Sequence, residues 1–284
     1  MGSTMPIFRT LFLFAILAIG TWVLWEHNPT FREIVQTYVE NGEFLTLEAR
    51  YSADQIMQSH EKELIPDNQY SYQEPTLKFY PYLLMEVKYT QTSGRTREGV
   101  ILWSMVDGEM VMDTDSWQKT HGFEDAINAG ANRSDFVLIN TLAKYRGSLS
   151  MSRLQKELNL EDQAFQQLIE NARKKYLIIL RGNEVALHFQ NPNFLVAPQT
   201  RINQWLVTKP YNHAQRVGKR YSQRQIEKVA KAAFGHDFTV RNAKEVFLPV
   251  YSIEVLNPDG SVLTSYWNAL NGNRIDSKYL SLSP

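Results

Sequence analysis

The chain carries one passage twice. Tyr51-Ser-Ala-Asp-Gln-Ile56 returns as Tyr221-Ser-Gln-Arg-Gln-Ile226, Phe79-x-Pro81 with Glu86-Val87 returns as Phe247-x-Pro249 with Glu254-Val255, and Trp103 with Gly108 returns as Trp267 with Gly272. The offsets between matched positions run 170, 168 and 164, so the copies differ by short length changes between elements, as diverged duplicates do. A duplicated chain must build the same local elements in both halves.

Each copy opens on a serine that can cap a helix. Ser52 precedes a helix over 53–64 closed by Pro66-Asp67-Asn68, and Ser222 precedes one running to Ala233. Apolar and β-branched runs then predict strands over 76–89, 99–105 and 110–113 in the first copy, and 244–256, 261–269 and 273–276 in the second. Asp107-Gly108, Pro258-Asp259-Gly260 and Asn271-Gly272 supply tight turns, and 91–97 makes a longer first hairpin loop. The expected fold class is α+β, with each module one helix laid on its own small antiparallel sheet.

This order of elements resembles the PepSY domain. The second copy carries the resemblance best, in Val250-Tyr-Ser-Ile-Glu-Val255, Pro258-Asp-Gly260 and Trp267-Asn-Ala-Leu-Asn-Gly-Asn-Arg-Ile275, while the first copy has a longer hairpin loop and no alanine-rich helix. The resemblance implies an extracytoplasmic module that inhibits or regulates a partner protein.

Between the copies the pattern changes. Phe136, Ile139 and Leu142 share a helical face, Ser150 can cap a second helix through Leu158, and 161–175 form a third with Phe165, Leu168, Ile169 and Ala172 inward. Strands at 176–181 and 184–189 then flank Gly182-Asn183. Three helices and a hairpin over 134–190 resemble a winged helix-turn-helix, whose third helix would present Gln163, Gln166, Gln167, Asn171, Arg173, Lys174 and Lys175 outward. Yet 134–189 holds eight basic and six acidic residues, a weak field for phosphate neutralisation. A structural or protein-binding role is the expected use of this domain, and nucleic-acid binding the alternative.

At the N-terminus, 11–25 carry no charge, and with Ile7 and Phe8 the apolar run reaches the length of a membrane span. Trp22 and Trp25 stand at its outer end, with Arg9 before it and Glu26 and Glu33 after it. The asymmetry predicts a single-pass anchor in the bacterial cytoplasmic membrane with the bulk outside. Secretion after signal cleavage near Ala18-Ile-Gly20 is the rival reading. The chain has no cysteine, which removes disulfides, thiol catalysis and zinc-thiolate sites.

The zero net charge hides an opposition. Residues 26–74 hold ten acids against three bases, whereas 209–231 hold seven bases against Glu227 alone. Arg216, Lys219, Arg220 and Arg224 therefore either neutralise the acidic first module or contact an anionic envelope component. The six histidines show no metal-ligand spacing, and no phosphate loop or nucleophile motif occurs, so no catalytic residue, metal site or cofactor is assigned. The densest polar cluster is 113–125, from which Trp117 and His121 are taken as partner-binding candidates and Asp113 with His121 as the basis of an enzymatic alternative.

The expected organisation is a cytoplasmic N-terminus (1–6), anchor (7–25), linker helix (26–50), first PepSY-like module (51–133), winged-helix-like insert (134–190), basic linker (191–220) and second PepSY-like module (221–284). The expected function is a non-enzymatic envelope protein that binds, scaffolds or regulates a protein partner. Small sheets with open edges suit strand addition by such a partner.

Overall fold

The computed structural model describes residues 42–91, 94–189, 192–210 and 214–276. The expected anchor and residues 26–41 of the expected linker helix lie outside them; the described remainder of that linker is not helical, since Glu43–Leu47 is a strand. No helix among the described residues is long and apolar enough to cross a membrane. The chain divides into two compact units, residues 1–44 with 208–214 and residues 45–207 with 215–284. In the smaller unit the described residues are turn and extended backbone.

The protein is mixed α+β, with seven helices among the described residues. The first copy runs β1 (Glu43–Leu47), α1 (Ala53–Ser59), α2 (Glu61–Leu64), β2 (Ser71–Tyr72), β3 (Thr76–Thr90), β4 (Thr96–Ser104), β5 (Met110–Asp113) and β6 (Gln118–Lys119). There follow α3 (Phe123–Asn128), α4 (Arg133–Lys144), β7 (Ser148–Ser150), α5 (Met151–Leu158), α6 (Asp162–Lys174), β8 (Ile178–Arg181) and β9 (Glu184–Leu187). After β10 (Leu206–Pro210), the second copy runs β11 (Gln215–Arg216), α7 (Gln223–Phe234), β12 (Thr239–Leu256), β13 (Val262–Asn268) and β14 (Arg274–Ile275). Ser52 and Ser222 both close capping boxes, with Gln55 and Gln225, so the two helices start through the same chemistry. The single helix expected over 53–64 breaks at His60, which ends α1 and begins α2.

The large sheet is built around one long antiparallel pair, β3 with β12, and continues outward as β1-β12-β3-β4-β5-β6. In this pair Phe79 faces Pro249, Tyr80 faces Leu248 and Pro81 faces Phe247. Each repeated Phe-x-Pro thus pairs with its own counterpart in reverse, as a local twofold axis through Tyr80 and Leu248 requires.

The same reciprocity extends to the segments leading into the helices. Thr46 pairs in parallel with Phe247, and Arg216 pairs in parallel with Phe79, again at an offset of 170 between the leading residues. Arg50 N and Tyr51 N donate to Ala269 O at 2.8 and 2.9 Å, while Arg220 N and Tyr221 N donate to Met105 O, both at 2.9 Å. Tyr51 lies over Gly272, and Tyr221 over Gly108.

The leading strand and helix of each copy are therefore exchanged onto the other copy's half of the large sheet. α1 and α2 bury Ile56 and Leu64 against Ile253, Val255 and Trp267, whereas α7 buries Ile226, Val229 and Ala230 in the core that holds Leu83, Met85, Ile101 and Trp103. This corrects the expectation of a helix on its own sheet. The physical reason is degeneracy: the two matching halves of the sheet offer the same apolar face, so an amphipathic stripe is satisfied equally well by either.

The opposite face of β3 and β12 encloses a second core, in which Tyr80, Tyr82 and Leu84 meet Val246, Leu248 and Val250. The middle segment forms three helices and a separate sheet of order β7-β9-β8. It is joined to the frame by the core around Phe123, Phe136 and Trp103, and Arg133 Nη1 donates to Ala232 O and Ala233 O at 3.1 and 3.0 Å, satisfying the last carbonyls of α7.

Candidate functional site

Local turn chemistry brings residues of both copies to one seam. Asp113 Oδ1 accepts from Asp115 N at 2.8 Å and Ser116 N at 3.4 Å, turning the chain after β5. Trp117 then takes a left-handed conformation, φ 54°, uncommon for a bulky residue, and β6 returns antiparallel to β5 with Lys119 opposite Val111. From the second copy, Asn268 Oδ1 accepts from Leu270 N and Asn271 Oδ1 from Asn273 N, shaping the turn into β14. Asn271 Nδ2 donates to Asp115 O at 2.9 Å and ties the two turns together.

Between them lies a cleft of about 330 Å³, lined among others by Trp117, His121, Asn268, Asn273, Arg274 and Ile275. Two of the residues that line it hold buried polar atoms: His121 Nδ1 and Asn268 Nδ2 have no hydrogen-bond partner among the described residues, and Asn268 is only 1% exposed. The Trp117 indole stands edge-on to Tyr82, with ring centres 5.5 Å apart. Its Nε1 lies close enough to the Tyr82 hydroxyl to bias its ionisation but closes no well-formed hydrogen bond. His121 is held by its backbone, which exchanges hydrogen bonds with Asn193 at 3.0 and 2.8 Å.

Beneath the cleft is a buried charge network. Lys119 Nζ meets Asp107 Oδ2 at 2.5 Å, with both side chains under a tenth exposed. Burial pulls the Lys119 ammonium down, but Asp107 and Tyr82 pull it up more strongly and hold it above the ordinary lysine range. Glu109, 3% exposed, accepts from Gly122 N at 2.8 Å, Glu124 N at 3.0 Å and Thr120 Oγ1 at 2.7 Å, and so caps α3. Burial pushes its carboxyl up to about 7, against the lowering effect of those three donors.

That shift has a sign. The folded chain keeps the Glu109 proton to higher pH than the unfolded chain, so the contribution to stability is present below about pH 4.5 and lost as pH rises to about 7. Glu109→Gln, which retains an oxygen for the backbone donors, is expected to remove a fall of about 3 kcal/mol across that window. Urea unfolding at a series of pH values measures it, and an unchanged slope would place the titration elsewhere.

The sequence-derived candidates fall into separate places. Trp117 and His121 meet at the seam, but Asp113 is engaged with Arg201 at 3.2 Å and with its own turn. Lys219 pairs with Glu245, Arg220 Nη1 lies 2.6 Å from Glu124 Oε1, Arg216 lies on β11 beside β3, and Arg224 is exposed on the first turn of α7. On α6, Arg173 pairs with Glu170 at 3.2 Å, Lys174 is exposed, and Lys175, just past its end, lies 2.5 Å from the buried Asp135 that caps α4. Asn268, Asp107, Lys119 and Glu109 carry the seam's chemistry and were missed in the sequence. Their one local signal is the pair of Asp-Gly and Asn-Gly turns, which reads as geometry rather than as a site.

The chain matches no protein-family model, no curated protein and no solved structure.

Proposed function

We propose that the chain is a non-enzymatic, single-pass protein of the bacterial envelope, in which two PepSY-like repeats and a winged-helix-like insert form one frame that binds and regulates a partner protein by strand addition. The observation that carries the reading is a difference between equivalent edges. In the first copy, 198–201 lie along the outer edge of β4: Thr200 N donates to Val100 O at 2.7 Å, and Leu102 N donates to Thr200 Oγ1 at 2.9 Å.

The equivalent edge of the second copy is β13. It pairs with β14 only at Tyr266 and Trp267, which leaves 262–265 without an outer strand among the described residues. Val262 and Leu263 are 47% and 48% exposed there. An extended partner segment seated on this edge would do for the second copy what 198–201 do for the first. The pairing of Lys219, Arg220 and Lys175 inside the protein supports a protein partner over a phosphate-rich one.

A photo-crosslinking residue at Leu263 in cells is expected to capture one extracytoplasmic protein, and Val262→Lys with Thr264→Lys is expected to abolish that product while the melting temperature stays unchanged. A reporter fused after Pro284 that is active only in the cytoplasm would overturn the envelope reading. Capture that survives the charged edge would overturn strand addition.

A further inference from the structure

We infer that the outer edge of β13, at the point where β14 leaves it, takes an extended segment of a partner protein in which a threonine or serine is followed by an arginine or lysine. The inference rests on the strand-addition reading and names what the added segment must carry. It begins with a likeness of register: Leu102 faces Val111 and Trp103 faces Met110 in the first copy, and Tyr266 faces Ile275 and Trp267 faces Arg274 in the second. Each of these positions repeats at an offset of 164, that of the matched tryptophans. Contacts made to β4 and β5 therefore have defined counterparts on β13 and β14.

In the first copy the chain fills this place with its own Thr200. The residue is 4% exposed, donates N to Val100 O at 2.7 Å, accepts at Oγ1 from Leu102 N at 2.9 Å and donates Oγ1 to Val111 O at 2.5 Å, while Arg201 N donates to Met112 O at 2.9 Å. A hydroxyl suits the position because it donates and accepts at once, and so spans the N–H of one strand and the C=O of the next as they part. The counterparts of the four partners are Thr264, Tyr266, Ile275 and Asp276. All four line a cleft of about 370 Å³ with Ser265 and Arg274, and among the described residues β13 pairs with β12 and β14 only. That cleft is the second copy's version of the place Thr200 occupies in the first.

Charge selects the neighbour of the hydroxyl residue. In the first copy Arg201 pairs with Asp113 at 3.2 Å. The second copy's half of the sheet and the helices laid on it, residues 51–74 and 250–276, hold eight acids against Lys62 and Arg274, and Arg274 is engaged by Glu63 at 3.1 Å. A cation beside the hydroxyl therefore approaches a complementary field, and an acid a repulsive one. The chain's own Val196-Ala-Pro-Gln-Thr200-Arg-Ile202 is thus a model of the ligand. A second copy of the chain does not supply it, because each chain's segment is seated on its own first copy, where covalent connection gives it the higher effective concentration.

The test is fluorescence anisotropy of a labelled peptide of sequence 196–202, acetylated and amidated, titrated with the full-length chain in detergent. Peptides with valine in place of the threonine, and with glutamate in place of the arginine, serve as comparators. Saturable binding of one threonine peptide per chain is expected, with either comparator weaker by about tenfold. Hydrogen exchange is expected to slow over 262–266 and to stay unchanged over 99–102, and removal of 277–284 is expected to leave the affinity unchanged. The comparison among peptides needs no variant of the protein, so folding does not confound it. No saturable binding at millimolar peptide, equal binding of a comparator, or slowed exchange over 99–102 instead of 262–266 would each overturn the proposal. Binding tighter by about tenfold once 277–284 are removed would give the edge to the chain's own C-terminal segment and overturn it too. Capture of a protein at Leu263 with all three peptides bound alike keeps strand addition and sinks the inference about the segment, whereas selective peptide binding without capture keeps the site and sinks the partner in cells.

Discussion

Lys119→Met is expected to destabilise the protein by about 3–5 kcal/mol at neutral pH, because it leaves the Asp107 carboxylate buried and unpaired. Asp107 is 5% exposed and has Lys119 Nζ at 2.5 Å, while its other oxygen accepts from Glu109 N at 3.1 Å. Removing the ammonium leaves one backbone donor against the full cost of a buried charge. The pair itself is expected to be worth far less than the single variant suggests. Asp107→Asn combined with Lys119→Met removes both charges, keeps the oxygen for Glu109 N, and should recover most of the loss. Urea unfolding of the wild type, both single variants and the double variant measures the coupling. A loss below about 1 kcal/mol in Lys119→Met would mean that Asp107 reaches water once the lysine is gone.

Trp267→Ala and Trp103→Ala are each expected to cost about 3–5 kcal/mol, and to loosen helices that sequence order assigns to the other copy. Trp267 is 1% exposed, donates Nε1 to Ser265 Oγ at 2.8 Å, and places its ring centre 4.4 Å from that of His60 at the junction of α1 and α2. Trp103 is fully buried, donates Nε1 to Gly108 O at 2.7 Å, and packs 4.7 Å from Phe123 and 6.5 Å from Phe234 of α7. Native-state hydrogen exchange should therefore accelerate over 53–64 in Trp267→Ala and over 223–234 in Trp103→Ala. The opposite pattern would return each helix to its own sheet and sink the exchanged arrangement.

Much of the local structure was legible before any coordinates. Ser52 and Ser222 mark helix starts because a serine hydroxyl accepts from a backbone N–H three residues on, a contact contained in six residues of sequence. Asp107-Gly108 and Asn271-Gly272 mark turns because glycine tolerates positive φ, which both adopt, at +72° and +71°. Trp103 and Trp267, matched positions of the two copies, are both buried. The break at His60 was not legible, since the apolar spacing continues across it.

The site was less legible than the elements. Trp117 and His121 were named from a polar cluster, but Asn268, which completes the cleft with them, lies about 150 residues away and resembles an ordinary turn residue. Lys119 and Glu109 sit in short polar stretches where charge is usually solvated. Only the closure of β6 onto β5 takes them out of water.

By itself, then, the sequence determined the repeated motifs, the kinds of element around each of them, and their caps and turns. These follow from contacts a few residues apart and from the periods of helix and strand. The tertiary structure alone decided that each copy's leading strand and helix cross to the other copy's strands, that Phe79 and Phe247 meet each other's prolines around one axis, and that residues of both copies line one cleft at the seam. The physical reason is the likeness of the two repeated passages. Two alike halves of one sheet offer two alike faces, so local pattern leaves the choice open, and only the long-range pairing of β3 with β12 settles it.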